Sequence, residues 1–209
     1  LVWAEGWRAT RRYPHPQRGG RITALAVDVQ KRFVLAGDAE GVVWTWWGVF
    51  EGEEQSQRPP AKWHWHQHPV RALAQCGPTV LSGSDEGVLC MRGAYDNTNT
   101  VRFVPRFPGP LLHFAVAADG SRLCASVGGN TLAIIEGMQG FVKPRWIHGV
   151  DVPLAAGGAR TPARRTRVLH PLAGGGVALT SSGCRVQFLN DEGAPQLSRA
   201  LKVNRGEFA

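Results

Sequence analysis

The chain is predicted to be all-β, a row of repeated antiparallel blades, and two observations carry that prediction. The first is a meander at residues 69–92, PVRALAQCGPTVLSGSDEGVLCMR. Three short apolar runs, at 70–73, 80–81 and 88–91, are separated by Gly77-Pro78 and by a tight turn of small residues at 82–87. Runs of this length bounded by turn residues are antiparallel strands. The second observation is recurrence. LAGDAEGVV at 35–43 is repeated at 81–89, a shift of 46 residues. A third copy runs through 119–123 and 126–135, and a weaker fourth through 177–183 and 186–189. A period in the mid-forties is the length of one four-stranded blade.

Composition agrees. Hydrophobic residues make up 43% of the 209, enough for a packed core, and 26 Gly with 14 Pro supply many turns. The longest apolar segment, 111–118, contains His113 and is too short to cross a bilayer. The chain opens on Leu1 without a signal-peptide pattern, which suggests a fragment. The four cysteines form no C-x-x-C pair and read as buried, reduced thiols rather than as a disulfide framework or zinc site. A net charge of +8, largely from arginine, suits an anionic partner.

In chain order, residues 1–20 read as a linker or degenerate strand. Their Arg8, Arg11, Arg12 and Arg18, continued by Arg21, are interleaved with Trp7 and Tyr13, a pattern that either grips single-stranded nucleic acid or forms a solvated loop. The blades are expected at approximately 21–62, 63–109, 110–150 and 166–193. In a WD-type blade, which this repeat resembles, Trp46 takes the place of the dipeptide's Trp, which implies packing between blades; the alternative is a ring that stacks on a ligand. The stretch 51–62, with Pro59-Pro60, reads as a polar insertion that resists strand formation.

WHWHQH at 63–68 places His64, His66 and His68 on one face if it is a strand. Three imidazoles could hold zinc; the alternative is a structural role, since His66 stands four residues before Val70, where the WD-type repeat that this meander resembles has a hydrogen-bonding His. Ala118-Asp119-Gly120 is a hairpin signal in the third blade. Residues 153–167 carry Arg160, Arg164, Arg165 and Arg167 without an apolar period, either a phosphate-contacting patch or a flexible loop. Residues 194–209 form a tail.

The order apolar run, turn, SGSDxG, apolar run resembles a WD-type β-propeller repeat, so the fold class is a WD-repeat propeller with about four blades present, an incomplete ring. That resemblance places Ser82 and Asp85 in one hydrogen-bond set with His66. The set has Ser-His-Asp composition, but no G-x-S-x-G or other mark of an exposed nucleophile accompanies it, so no catalytic or metal residues and no cofactor are assigned. An incomplete ring is expected to leave an open edge on its terminal blades.

Two further stretches narrow the resemblance. They are His64-Trp65-His66 leading into 70–92, and Phe103-Val104-Pro105-Arg106-Phe107 leading into Leu111-Leu112-His113, with Gly140-Phe141-Val142-Lys143 downstream. Over about 21–188 this order resembles the family of WD repeat-containing protein 75. The resemblance implies a non-enzymatic scaffold of the nucleolar small-subunit processome, supporting pre-rRNA processing, 18S maturation and ribosomal-RNA transcription. It further implies the other WD-repeat subunits of the UtpA subcomplex and pre-rRNA as partners, and the nucleus and nucleolus as location. The chain departs from the repeat pattern at Arg92 and Ile135, where a Trp is expected, and at Arg18, where the first His is expected. The competing reading is a generic WD-repeat adaptor for other proteins.

Overall fold

A computed structural model describes residues 2–3, 9–11, 13–28, 30, 32–50, 59–95, 100–104, 106–117, 120–128, 131–136, 144–147, 166–171, 177–181, 185–189 and 195–200. Of residues 2–11 and of those from 144 onward the backbone alone is described. A two-stranded antiparallel pair, β1 (Val2–Trp3) and β2 (Ala9–Arg11), lies within the stretch read as a linker or degenerate strand. The first blade is β3 (Ile22–Val27), β4 (Phe33–Asp38), β5 (Val42–Trp47) and β6 (Ala61–His64). The second is β7 (Val70–Cys76), β8 (Thr79–Ser84), β9 (Leu89–Gly93) and β10 (Val101–Phe103). The third is β11 (Leu111–Val116), β12 (Arg122–Val127), β13 (Thr131–Glu136) and β14 (Pro144–Ile147), and the fourth β15 (Thr166–Pro171), β16 (Val177–Ser181), β17 (Arg185–Leu189) and β18 (Pro195–Ala200).

Each blade is a meander whose strands pair in chain order, all antiparallel. The first strands β3, β7, β11 and β15 pack one against the next and form the inner wall of an open propeller. The turns follow from their residues. Gly41 and Gly87 hold φ of +81° and +72° after Asp38-Ala39-Glu40 and Ser84-Asp85-Glu86, a backbone region that glycine enters without strain. Gly120, at φ +70°, ends the third blade's first turn, where its N–H donates to Ala117 O at 2.8 Å.

One expectation fails at the first blade boundary. A strand does form directly after Pro59-Pro60, and β6 pairs with β5 through Val42↔His64 and Val43↔Trp63. The prolines lie before the ladder, so no ladder hydrogen bond is lost. WHWHQH is therefore not one strand: His64 ends β6, while His66 and His68 belong to the connection into β7.

The cores lie between blades. The face joining blades one and two buries Phe33, Leu35, Val43, Trp63, Val70 and Val80. The face joining blades two and three buries Leu81, Leu89, Met91, Leu111, Leu123 and Ile135. Burying one such side chain contributes ~1.5–3 kcal/mol, so the faces between blades dominate the stability. Close approach needs the small residue of the repeated motif. A Cβ on Gly83 would lie 2.7 Å from Leu111 Cβ and 2.6 Å from Phe114 Cζ, and Gly37 meets Val70 in the same way one blade earlier. Every inner strand also carries a register shift near its start, between Ile22 and Ala24, Val70 and Ala72, Leu111 and His113, and Thr166 and Val168. Such bulges raise local twist and bend the strand.

Candidate functional site: polar sets between the blades

The connection from β6 to β7 is drawn inward by one backbone bond, His66 N–H to Gly41 O at 3.3 Å. A side chain at Gly41 would collide with the His66 carbonyl. His66 is thereby carried into the blade interface, where it is 1% exposed. Its Nε2 lies 2.8 Å from Ser82 Oγ and its Nδ1 2.9 Å from Glu86 Oε1. Cys90 Sγ is 3.9 Å from Nδ1. Glu86 is in turn held by Gln67 N–H at 3.4 Å, and its own N–H donates to Ser84 Oγ at 3.3 Å.

The structure thus brings His66 and Ser82 together but does not join Asp85 to them. Asp85 points to solvent and takes a two-pronged contact from Arg71, Nε to Oδ1 at 2.8 Å and Nη2 to Oδ2 at 2.7 Å. In the turn 84–87, Asp85 occupies the outward corner, and Glu86, one residue later, turns in toward His66. Arg71 stands at the β7 register shift, and its half-exposed pair with Asp85 contributes at most ~1 kcal/mol.

Burial pushes the His66 pKa below its ordinary value of 6.5, and the opposing pull of Glu86 does not restore it. A neutral ring fits the contacts, with Nδ1–H donating to Glu86 and Nε2 accepting the Ser82 hydroxyl. For Glu86, burial acts to raise the pKa, but hydrogen bonds from His66 and the Ser84–Gln67 surroundings outweigh it and the net shift is downward from 4.5. Burial drives the Cys90 and Cys124 thiols up to about 12, so neither is a thiolate at neutral pH.

Both shifts act in the same direction with pH. The unfolded chain takes up a proton on this histidine near pH 6.5 and on this glutamate near 4.5, whereas the folded chain resists both. Stability is therefore expected to fall as pH drops from 7 to 4, by up to ~1.4 kcal/mol per pH unit per proton. Urea midpoints measured at pH 7, 6, 5 and 4 check this; a flat profile between 7 and 5 would refute it.

Ser82, His66 and Glu86 have the connectivity of a serine-histidine-acid relay. Catalysis requires a nucleophile that a substrate can reach, and Ser82 is 0% exposed. The set is a staple tying the incoming connection to β8 and its turn. The three-histidine reading fails on placement: His64 and His68 are exposed, His66 is buried with both ring nitrogens engaged, and among the described residues no group of three His, Cys, Asp or Glu converges on one point.

A second set, which the sequence reading missed, lies in the first blade. Asp38 is 0% exposed. Its Oδ1 accepts from Glu40 N and Val42 N, both at 2.9 Å, and its Oδ2 from Trp44 Nε1 at 2.8 Å. His15 Nε2 stands 3.4 Å from Oδ2, while its Nδ1 accepts Gln17 N–H at 3.1 Å. His15, not Arg18, is the histidine of this blade; Arg18 is exposed. The available signal was the spacing of a buried-type acceptor, Asp38, six residues before an indole in the repeated turn. Trp46 lies on the same sheet face as Trp44, in a cluster with Val42 and Val49.

At the matching positions of the third blade the described residues are apolar. Phe107 N–H donates to Gly87 O at 2.8 Å, as His66 N–H does to Gly41 O, and Phe107 is 4% exposed in the apolar core. In register terms Ala125 takes the place of Ser82, pairing with Phe114 as Ser82 pairs with Leu73. In the second blade Arg92, where a Trp was expected, lies 4.5 Å over the Trp63 ring, which stacks on Trp65 at 5.1 Å. A cation over an indole contributes ~0.5–2 kcal/mol.

Of the basic candidates, Arg160, Arg164 and Arg165 lie outside the described residues, and Arg167 sits on β15 at its register shift. At the end of the propeller carrying the β7–β8 turn, an open cavity of about 800 Å³ is lined by Asp28, Arg32, Gln75, Pro78, Tyr95 and Val116. Asp28 is fixed there by Arg32 Nε at 3.1 Å, and the Arg32 guanidinium lies 4.1 Å over the Tyr95 ring.

Comparison with known proteins bears on the fold. No family model matches the chain. No curated protein matches it either. Among solved structures it is similar to the β-propeller domain of Cps50 (Swd1) from Myceliophteria thermophila, at 15% identity and a TM-score of 0.65 over 88% of this chain and 56% of that one. It is similar to a chain of the mitotic checkpoint complex at 14% identity and a TM-score of 0.68, over 88% of this chain and 52% of that one. The chain thus spans a little over half the length of these propellers. The all-β propeller fold with an open ring is established by these likenesses together with the sheets.

Proposed function

We propose that the chain is a non-enzymatic scaffold, a propeller segment whose edges and loops hold other proteins. The observation that carries this is the burial of Ser82 and His66: among the described residues, the constellation with catalytic composition is sealed between blades and serves packing. The finer assignment is a scaffold subunit of the nucleolar small-subunit processome, acting with other WD-repeat subunits of the UtpA subcomplex on pre-rRNA processing and ribosomal-RNA transcription. The ordered motifs over 63–143 and the net charge of +8 support it. Contact with pre-rRNA would run through arginines to the phosphate backbone and weaken with salt.

Sedimentation of the tagged protein from nuclear extract, with and without RNase, tests the assignment. Co-migration with large RNase-sensitive particles is expected. Migration only as a small species unchanged by RNase would overturn the processome assignment and leave the adaptor reading.

A further inference from the structure

The open cavity of about 800 Å³ at the β7–β8 end is separate from the sealed polar sets. Asp28 and Arg32 reach it from the turn after β3, Pro78 from the turn after β7, Tyr95 from the segment after β9, and Val116 and Ala117 from the end of β11. Three blades therefore build it, and each of the three is a complete four-stranded sheet. The walls are braced against one another. Cys76 S–H donates to Gly120 O at 2.6 Å, joining the turns of blades two and three. Ala94 N–H donates to Pro78 O at 2.6 Å, and Gly48 N–H to Arg32 O at 2.9 Å. The Tyr95 ring is set by Phe33 and Trp47 of the first blade, with centroids 6.1 and 6.0 Å away. A cavity this large and this well braced is preformed, with room for a ligand much bigger than one ion.

Its two charged walls play opposite parts. Asp28 is 2% exposed and already engaged. Its Oδ2 accepts Arg32 N–H at 2.9 Å and Arg32 Nε–H at 3.1 Å, the Tyr95 hydroxyl stands 3.5 Å from Oδ1, and Gln75 adds a further bond. Burial acts to raise the Asp28 pKa, but the hydrogen bonds from Arg32 and Gln75 outweigh it and the net shift is downward from 3.8. Asp28 is thus an ionised acceptor turned to its own neighbours, not to an occupant. Arg32 faces the other way. Its side chain is 39% exposed and its guanidinium lies 4.1 Å over the Tyr95 ring. Among the described residues its donors engage only through Nε and the backbone N–H, so both Nη groups are left to the cavity.

A guanidinium held flat on a ring and anchored at Nε presents a preset fork, the geometry that takes a carboxylate through two parallel bonds. What the cavity offers an occupant is therefore donors and positive charge at one point. Around that point Tyr95, Pro78, Val116 and Ala117 offer apolar surface. The complement is a ligand with one carboxylate beside an apolar group. The net charge of +8 favours the approach of an acidic chain.

We propose that this cavity docks an acidic segment of a partner protein, whose Asp or Glu carboxylate takes the Arg32 fork while a neighbouring apolar side chain lies on Tyr95 and Pro78. The inference rests on the reading of the chain as a scaffold for other proteins and is independent of the processome assignment. The probe is the peptide acetyl-Leu-Glu-Leu-amide, titrated into the isotope-labelled full chain and followed by NMR.

Saturable shifts are expected at the Arg32 Nε–H and at the Gly77 and Ala117 amides. Replacing the peptide's Glu by Gln is expected to weaken binding about tenfold, the loss of one charge-assisted pair. Arg32→Lys keeps the charge but loses the fork, and should weaken binding too. Because Arg32 also braces Asp28, Pro78→Glu serves as the second variant. Position 78 is exposed, so this variant is expected to keep the wild-type circular dichroism while its carboxylate competes for the fork. No saturable shift at Arg32, equal binding of the Gln peptide, or indifference to Pro78→Glu would each overturn the proposal. So would inorganic phosphate or an oligouridylate that shifts the same signals more tightly than the peptide, which would make this a phosphate site. Capture of other proteins by the tagged chain from nuclear extract checks the scaffold reading separately. Capture without a peptide response strikes this site alone; failure of both strikes the scaffold as well.

Discussion

Asp38→Ala is expected to destabilise the chain by about 2–6 kcal/mol, the cost of leaving two buried donors unsatisfied. The carboxylate accepts three donors from inside the first blade, and two of them, Val42 N–H and the Trp44 indole N–H, are sealed from water. Alanine strands both, at ~1–3 kcal/mol for each unsatisfied group, and leaves a void beside Trp44. Glu40 N–H is exposed and turns to solvent at little cost. Asp38→Asn keeps one acceptor oxygen but loses the charge, which roughly halves such bonds, so it is expected to cost less than alanine. Urea unfolding followed by tryptophan fluorescence measures both. A loss below ~1 kcal/mol for Asp38→Ala would show that the donors find other partners.

Asp38 also shows where the sequence stops being legible. The repeat was readable because turn glycines and apolar runs recur with fixed spacing, and those features follow from local backbone demands that each blade must meet separately. Gly37, Gly41, Gly83 and Gly87 all sit where φ or the next blade's approach requires them. Which residue completes each interface was less legible, because the three blades whose side chains are described solve the same problem differently. Blade one uses Asp38 with His15 and Trp44, blade two Ser82 with His66 and Glu86, and blade three Phe107 with Ala125. A carboxylate one residue along a tight turn points to the opposite side, which is why Asp85 reads as the partner of His66 in one dimension while Glu86 is the partner in three. That Ile22 and Leu25 stand level with Val70 and Leu73 became visible only from the strand register, because the inner strands differ in sequence while their pairing is the same.

The difference between blades two and three gives the second large effect. His66→Phe alone introduces the residue that blade three uses, but it leaves the Ser82 hydroxyl without its partner in a fully buried position and removes the Nδ1–H that Glu86 accepts. A loss of about 2–4 kcal/mol is expected. Ser82→Ala alone leaves His66 Nε2 without its donor and costs about 1–2 kcal/mol. The double variant has no orphan on either side, since Glu86, with its side chain 13% exposed, can turn to water while still accepting from Gln67. It reproduces the Phe107–Ala125 solution of the next blade. The two losses are therefore expected to be non-additive, with a coupling of about 1–3 kcal/mol in favour of the double variant, the size found for residues in one buried network. The double variant should also flatten the pH dependence between 7 and 5, because the titrating imidazole is gone. Additive losses with an unchanged pH slope would show that His66 and Ser82 fill space independently, and that the staple between blades is packing alone.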